Sequence, residues 1–286
     1  MTGGPKHITI LTLLKHIREW YVYGSFHIAV CTAAYAAFFY FAMDMIPDWN
    51  YVALIFLGTH IIYSLHKVLA RERIENYQET RFKIVLGHQS HIIVYICCSL
   101  LVSIYILLQM EWHEVMLMLP PGIIAFLYVA PIFKSKKRLR DYSYIKIFLI
   151  ALSFSLLCTF NPLFYEGVSI GRALLFTIIS FFFVLGITIP FDIRDFSLDQ
   201  ADHVPTLVTA AGIEKSRLIS IALLAFSATF FLFLAGFSIP TLAFSISCIT
   251  GIIFSWYASL ERNDYYYSFF MDGLLALPLV LYILLV

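Results

Sequence analysis

Apolar runs recur along this chain between short polar stretches, and each run is far longer than a strand. A half-buried strand would alternate apolar and polar at every second position, whereas unbroken apolar runs of about 20 residues match a helix crossing a hydrocarbon core. Nine such runs are present, at roughly 24–45, 51–69, 88–109, 115–133, 145–161, 170–191, 217–236, 239–258 and 268–285. They predict an all-α integral membrane protein with nine transmembrane helices. Ahead of the first run, "KHITILTLLKHIREWYVYG" mixes apolar and polar positions at helical spacing and suits a helix lying on the membrane surface. No small-residue cleavage site follows a short apolar segment, so no cleavable signal peptide is expected. No soluble insert or low-complexity linker divides the chain. The expected organisation is therefore one domain over 1–286, with a surface segment at 1–23 and a nine-helix bundle at 24–285.

Composition agrees with that solvent. Hydrophobic residues make up 61% of the chain and charged ones 13%, which excludes an ordinary soluble domain. A net charge of +1 excludes the strongly basic surface that a nucleic-acid partner requires. Cys31, Cys97, Cys98, Cys158 and Cys248 all lie inside apolar runs without CxxC spacing, and read as small apolar residues.

Lysine and arginine set the orientation. With the N-terminus cytoplasmic and the nine runs alternating, Lys6, Lys15 and Arg18 fall inside, as do Lys67, Arg71, Arg73, Arg81 and Lys83. So do Lys134, Lys136, Lys137, Arg138, Arg140 and Lys146, then Arg194, Lys215, Arg217 and Arg262. Of the 19 basic residues only Arg172 is left outside. The expected topology is N-terminus in and C-terminus out, in the plasma (inner) membrane of a prokaryote.

On the cytoplasmic side the sixth run ends in "PFDIRDFSLDQADHVPTL", residues 190–207, with Asp192, Asp195, Asp199 and Asp202 crowded together. Carboxylates this close repel one another and hold protons unless a cation shares them. Asp192, Asp195 and Asp199 stand at offsets 0, +3 and +7, so they share one face if the helix continues past Pro190. Three carboxylates at a membrane mouth suit Mg2+, which takes a few carboxylates plus substrate phosphates. A solvated acidic loop is the plainer alternative.

The stretch resembles the second aspartate-rich motif of the UbiA superfamily of intramembrane prenyltransferases. Asp192, Asp195, Asp199, Thr206 and Leu207 fit that motif, while His203 stands where glycine is usual and Val208 where proline is usual. The segment "LYVAPIFKSKKRLRDYSYIK" after the fourth run is similar to the family's Tyr-to-Lys/Arg stretch. The resemblance implies a helical bundle around a central cavity, where Mg2+ held between two aspartate-rich motifs binds an isoprenyl diphosphate. An allylic carbocation then attacks a hydrophobic or aromatic acceptor. It makes Asp192, Asp195 and Asp199 the catalytic metal ligands. Lys67, Arg71, Lys134, Lys137, Arg138 and Arg194 become candidates for the diphosphate.

The family's first motif, similar to NDxxDxxxD, is missing. Aligned on Gly58 in "GTHIIYSLHKVLARERIENYQETRF", Tyr63 and Ser64 fall where Asn-Asp is expected and Lys67 where a metal-binding aspartate is expected. No aspartate occurs between Asp48 and Asp141. A lysine there repels Mg2+ but can meet a phosphate directly. Glu72, Glu75 and Glu79 repeat the offsets of the second motif and are possible displaced ligands, or else part of a solvated helix laced with arginines. His88 and His91 lack a third ligand nearby and read as interfacial. Asp272, inside the last apolar run, is a further candidate because ionisable residues in spans usually face a cavity. Asp202 completes the set. A non-catalytic isoprenoid-binding relative and a small transporter are the competing classes.

Overall fold

The computed structural model describes residues 10–69, 89–130, 139, 144–201 and 204–286, and among these there are helices and turns but no strand. In lipid a backbone amide has no water to turn to, so apolar runs must satisfy their polar groups internally, as helices do. In chain order the helices are α1 (Ile10–Tyr23), α2 (Phe26–Ala42), α3 (Trp49–Leu69), α4 (Gln89–Leu107) and α5 (Trp112–Val129). Next come α6 (Ile145–Tyr165), which contains a π-helical segment at Leu156–Phe160, and α7 (Ile170–Arg194). Two short helices, α8 (Phe196–Ala201) and α9 (Leu207–Ala211), precede α10 (Ile213–Ala235) and α11 (Ile239–Tyr257). A π-helical turn, Tyr266–Met271, leads to α12 (Leu277–Leu285).

Seven of the described helices are long and apolar enough to cross a membrane, from α3 to α7 and then α10 and α11. The expected first span is α2, which together with the end of α1 forms a pair bent by 58° and raises the number to eight. The expected ninth span is broken between the π-helical turn and α12, where Pro278 in the first turn has no N–H to continue a preceding helix. A count of nine is thus not reached by the described helices. The N-terminal α1 leaves Ile10, Leu14 and Ile17 exposed beside Lys15, as a helix at a lipid–water boundary would.

Pro120 and Pro121 lie inside α5 and Pro190 inside α7, and for Pro190 and Pro121 a neighbouring helix repairs the damage. Pro190 cannot donate to the carbonyl of Gly186 four residues back; the Ser220 hydroxyl of α10 donates to that carbonyl at 2.7 Å instead. Pro121 likewise releases the carbonyl of Leu117, and the Asn161 amide of α6 donates to it at 2.9 Å. Helix α7 therefore continues past Pro190 to Arg194, with the Asp195 amide donating to Phe191 O at 3.0 Å, and Asp199 in α8 donates its amide to Asp195 O at 2.9 Å. Close packing fixes its position, since a Cβ on Gly186 would lie 2.8 Å from Leu224 Cγ.

The half of α7 remote from the aspartates is set in an aromatic core. Tyr35, Phe38, Phe176, Phe183, Phe231 and Phe244 are all fully buried, with ring centroids 4.5 Å apart for Phe231–Phe244 and 5.1 Å for Phe183–Phe244. Such ring pairs hold helices together by packing, which matters where lipid removes the hydrophobic drive for helix association. Phe183 lies nine residues before Asp192, about 13 Å along a helix axis. The charged end of α7 is thereby separated from a solid apolar floor.

Candidate functional site

The site is assembled at the ends of α3, α6, α7 and the π-helical turn. Tyr144 has a left-handed backbone (φ 61°), and its N–H donates to Pro205 O at 3.1 Å. Just beyond Pro205, Thr206 caps α9 reciprocally: Thr209 N–H donates to Thr206 Oγ1 at 3.2 Å and Thr206 N–H to Thr209 Oγ1 at 2.7 Å. This brace aims the first turn of α6 at the end of α7. Lys146 Nζ then lies 2.8 Å from Asp192 Oδ1 and 2.9 Å from Asp199 Oδ2. Asp192 is 3% exposed, and its second oxygen, Oδ2, has no hydrogen-bond partner among the described residues. A buried carboxylate oxygen left this way is costly unless a cation or donor completes it.

Arg194 grips the third aspartate, with Nε 2.8 Å from Asp195 Oδ1 and Nη2 3.0 Å from Oδ2, a bidentate fork. Its Nη1 donates to Ser268 Oγ at 3.4 Å, and the guanidinium lies over the rings of Phe191 and Tyr267 at 5.2 and 5.7 Å. Asp272, at the end of the π-helical turn, is within electrostatic reach of both Arg194 and Lys67. Lys67 itself donates to Tyr23 O at 2.6 Å and Ser25 Oγ at 2.7 Å, so it holds the elbow between α1 and α2. Ser25 sits there with φ 72°.

Of the residues expected from sequence, Asp192 on α7 and Asp199 on α8 converge on Lys146 across a break at Asp195, Asp195 is held by its neighbour Arg194, and Asp272 lies within electrostatic reach of Arg194 from the end of the π-helical turn. His91 is exposed in the first turn of α4. Arg71, Glu72, Glu75, Glu79, His88, Lys134, Lys137, Arg138 and Asp202 lie outside the described residues. Sequence reasoning counted Lys146 for topology and did not single it out as a site residue. The signal was present, because a lysine opening an apolar helix is as unusual as Asp272 inside one.

The donor set limits what metal fits. Among the described residues no group of three or more histidine, cysteine or carboxylate side chains is arranged to hold an ion. No carboxylate occurs in α3 at all. Among the described residues Asp192 Oδ2 is a carboxylate oxygen without a hydrogen-bond partner, a hard oxygen of the kind Mg2+ takes together with substrate phosphates and water.

The sequence model of the UbiA prenyltransferase family matches residues 86–271. In three dimensions the chain is similar to a UbiA homologue from Archaeoglobus fulgidus bound to GPP and Mg2+, with 16% identity, a TM-score of 0.65, and 93% of this chain and 98% of that one covered. The homologue bound to DMAPP and Mg2+ gives 16% identity, a TM-score of 0.63 and the same coverage. A structure described for digeranylgeranylglyceryl phosphate synthase in membranes has 12% identity and a TM-score of 0.57, covering 94% of this chain and 98% of its own. At these identities the likeness is one of fold. No curated protein matches in sequence.

Proposed function

Because this chain belongs to the UbiA prenyltransferase family, we propose that it is a membrane-embedded prenyltransferase moving an isoprenyl group from a prenyl diphosphate to a hydrophobic or aromatic acceptor. The observation that carries the reading is the meeting of Asp192 and Asp199 on Lys146 at one end of an apolar bundle. Lys146 and Arg194 supply cationic donors for the diphosphate, and Asp199 and Asp195 hold those donors in place. Asp192 would hold Mg2+ through Oδ2. When bound, the ion offsets the negative charge that gathers on the departing diphosphate.

The transfer breaks the allylic carbon–oxygen bond, and the electron pair leaves with the diphosphate. The acceptor then bonds to the allylic carbon and loses a proton. Apolar side chains between the charged end and the Phe183 floor exclude water that would otherwise capture the cation. Aromatic faces such as Tyr267 and Phe191 stabilise positive charge close by. We assign the charged end to the cytoplasmic face and Val286 to the opposite side, supported by the 18 basic residues that the topology gathers there.

GPP (geranyl diphosphate) and DMAPP are the probes for a test with purified protein, read as binding and as diphosphate released in the presence of an aromatic acceptor panel. The proposal expects both. Binding without release would favour a non-catalytic isoprenoid-binding protein, and absence of binding would remove the prenyl diphosphate from the account.

A further inference from the structure

We infer that Tyr267, with its neighbour Ser268, is a positioning residue that fixes the orientation of the Arg194 guanidinium towards the diphosphate. The inference deepens the prenyl-diphosphate reading above and rests on it.

The guanidinium is met on two edges and on its face. Asp195 takes one edge as a fork, at 2.8 and 3.0 Å. Ser268 Oγ accepts from Nη1 at 3.4 Å. The flat face lies over the Phe191 and Tyr267 rings, at 5.2 and 5.7 Å from their centroids. Asp195 and Phe191 belong to the same end of α7 as Arg194 and move with it. Tyr267 and Ser268 come from the π-helical turn, so they set the guanidinium against the rest of the site. That matters because arginine is rich in rotamers, and its planar donor fork suits a phosphate only when the plane is fixed.

Tyr267 is itself pinned. It is fully buried, and its hydroxyl donates to Ser259 O at 2.7 Å and accepts from Ser259 N–H at 3.0 Å. The residue before it is tied as well, with the Tyr266 hydroxyl donating to Phe254 O of α11 at 2.5 Å. Arg217 Nε of α10 holds the adjoining Ala258 carbonyl at 2.8 Å. Both tyrosine hydroxyls of the turn are thus bonded to backbone, and what Tyr267 presents to Arg194 is the face of its ring. A π-helical turn is an uncommon geometry that recurs at functional sites. Here it brings two consecutive side chains to one guanidinium.

The test is a double-mutant cycle on full-length protein in detergent with Mg2+, read as GPP affinity by calorimetry, with thermal unfolding run alongside. Tyr267→Leu removes the ring and is expected to weaken GPP binding about tenfold. Arg194→Lys keeps the charge but has no planar fork to orient. In that background the same Tyr267→Leu change is expected to cost less than about twofold. Equal losses in the two backgrounds, or no loss in either, would overturn the inference, since a ring that only packs affects both alike. Should Tyr267→Leu fail to fold, Ser268→Ala reaches the same guanidinium without opening the core. It is expected to weaken binding about threefold with arginine at 194 and not with lysine there. A loss that ignores residue 194 would again overturn the inference. If Arg194→Lys binds GPP as tightly as wild type, the diphosphate reading stands and the positioning role falls. If the wild type binds no GPP, the diphosphate reading falls and the inference with it.

Discussion

Lys146 Nζ donates to Asp199 Oδ2 at 2.9 Å across 53 residues of sequence, and the same nitrogen lies 2.8 Å from Asp192 Oδ1. This contact ties the start of α6 to the end of α7 inside the bundle. Removing one partner of a buried ion pair leaves an uncompensated charge, so Lys146→Met should destabilise the protein by about 3 kcal/mol. Adding Asp192→Asn and Asp199→Asn should recover most of that loss. Thermal unfolding in detergent checks both, and a silent Lys146→Met would show that the pair carries no stability.

The carboxylates should divide by role. Asp192→Asn removes the metal foothold, so GPP affinity should fall and lose its dependence on Mg2+. Asp195→Asn weakens the grip on Arg194, so affinity should fall roughly tenfold, about 1.4 kcal/mol, while Mg2+ dependence remains. Calorimetry with and without chelator separates the two. Identical behaviour of the two variants would contradict the assignment.

Lys67 donates to Tyr23 O and Ser25 Oγ at the elbow. Hydrogen bonds from a charged donor suggest that Lys67→Met costs about 2 kcal/mol of stability. It should speed hydrogen exchange around Tyr23 and leave GPP affinity within roughly twofold, which is under about 0.5 kcal/mol. A large affinity loss at unchanged stability would instead put Lys67 on the diphosphate.

The repair of α7 at Pro190 is testable by a double-mutant cycle. Ser220→Ala strands the Gly186 carbonyl and should cost about 1–2 kcal/mol. Pro190→Ala restores an amide four residues on, so the cost of Ser220→Ala should largely vanish in that background. A cost that is the same with either residue at 190 would separate Ser220 from the proline.

The fold was legible in the sequence wherever a helix must be long and apolar, as α3 to α7, α10 and α11 are. Span ends were less so. Pro278 and the π-helical turn break the last run, and the α1–α2 elbow depends on Ser25 adopting a left-handed backbone, which no apolar count foresees. The spacing of Asp192, Asp195 and Asp199 predicts one shared face on a continuous helix, but the helix breaks at Asp195, and only Asp192 and Asp199 meet on Lys146. Lys146 was not legible as their partner, since its approach depends on the brace from Tyr144 to Pro205, a tertiary contact. The same holds for Ser220 and Asn161, ordinary residues in sequence whose purpose appears only beside the prolines they serve.

Calorimetric titration of GPP into purified wild-type protein and into Asp192→Asn, each with Mg2+, decides whether a prenyl diphosphate binds at Asp192 and Lys146. One GPP should bind saturably per wild-type chain, and binding to the variant should be at least tenfold weaker, about 1.4 kcal/mol. Wild-type protein that binds no GPP, or an Asp192→Asn variant that binds it equally well, would show that it does not.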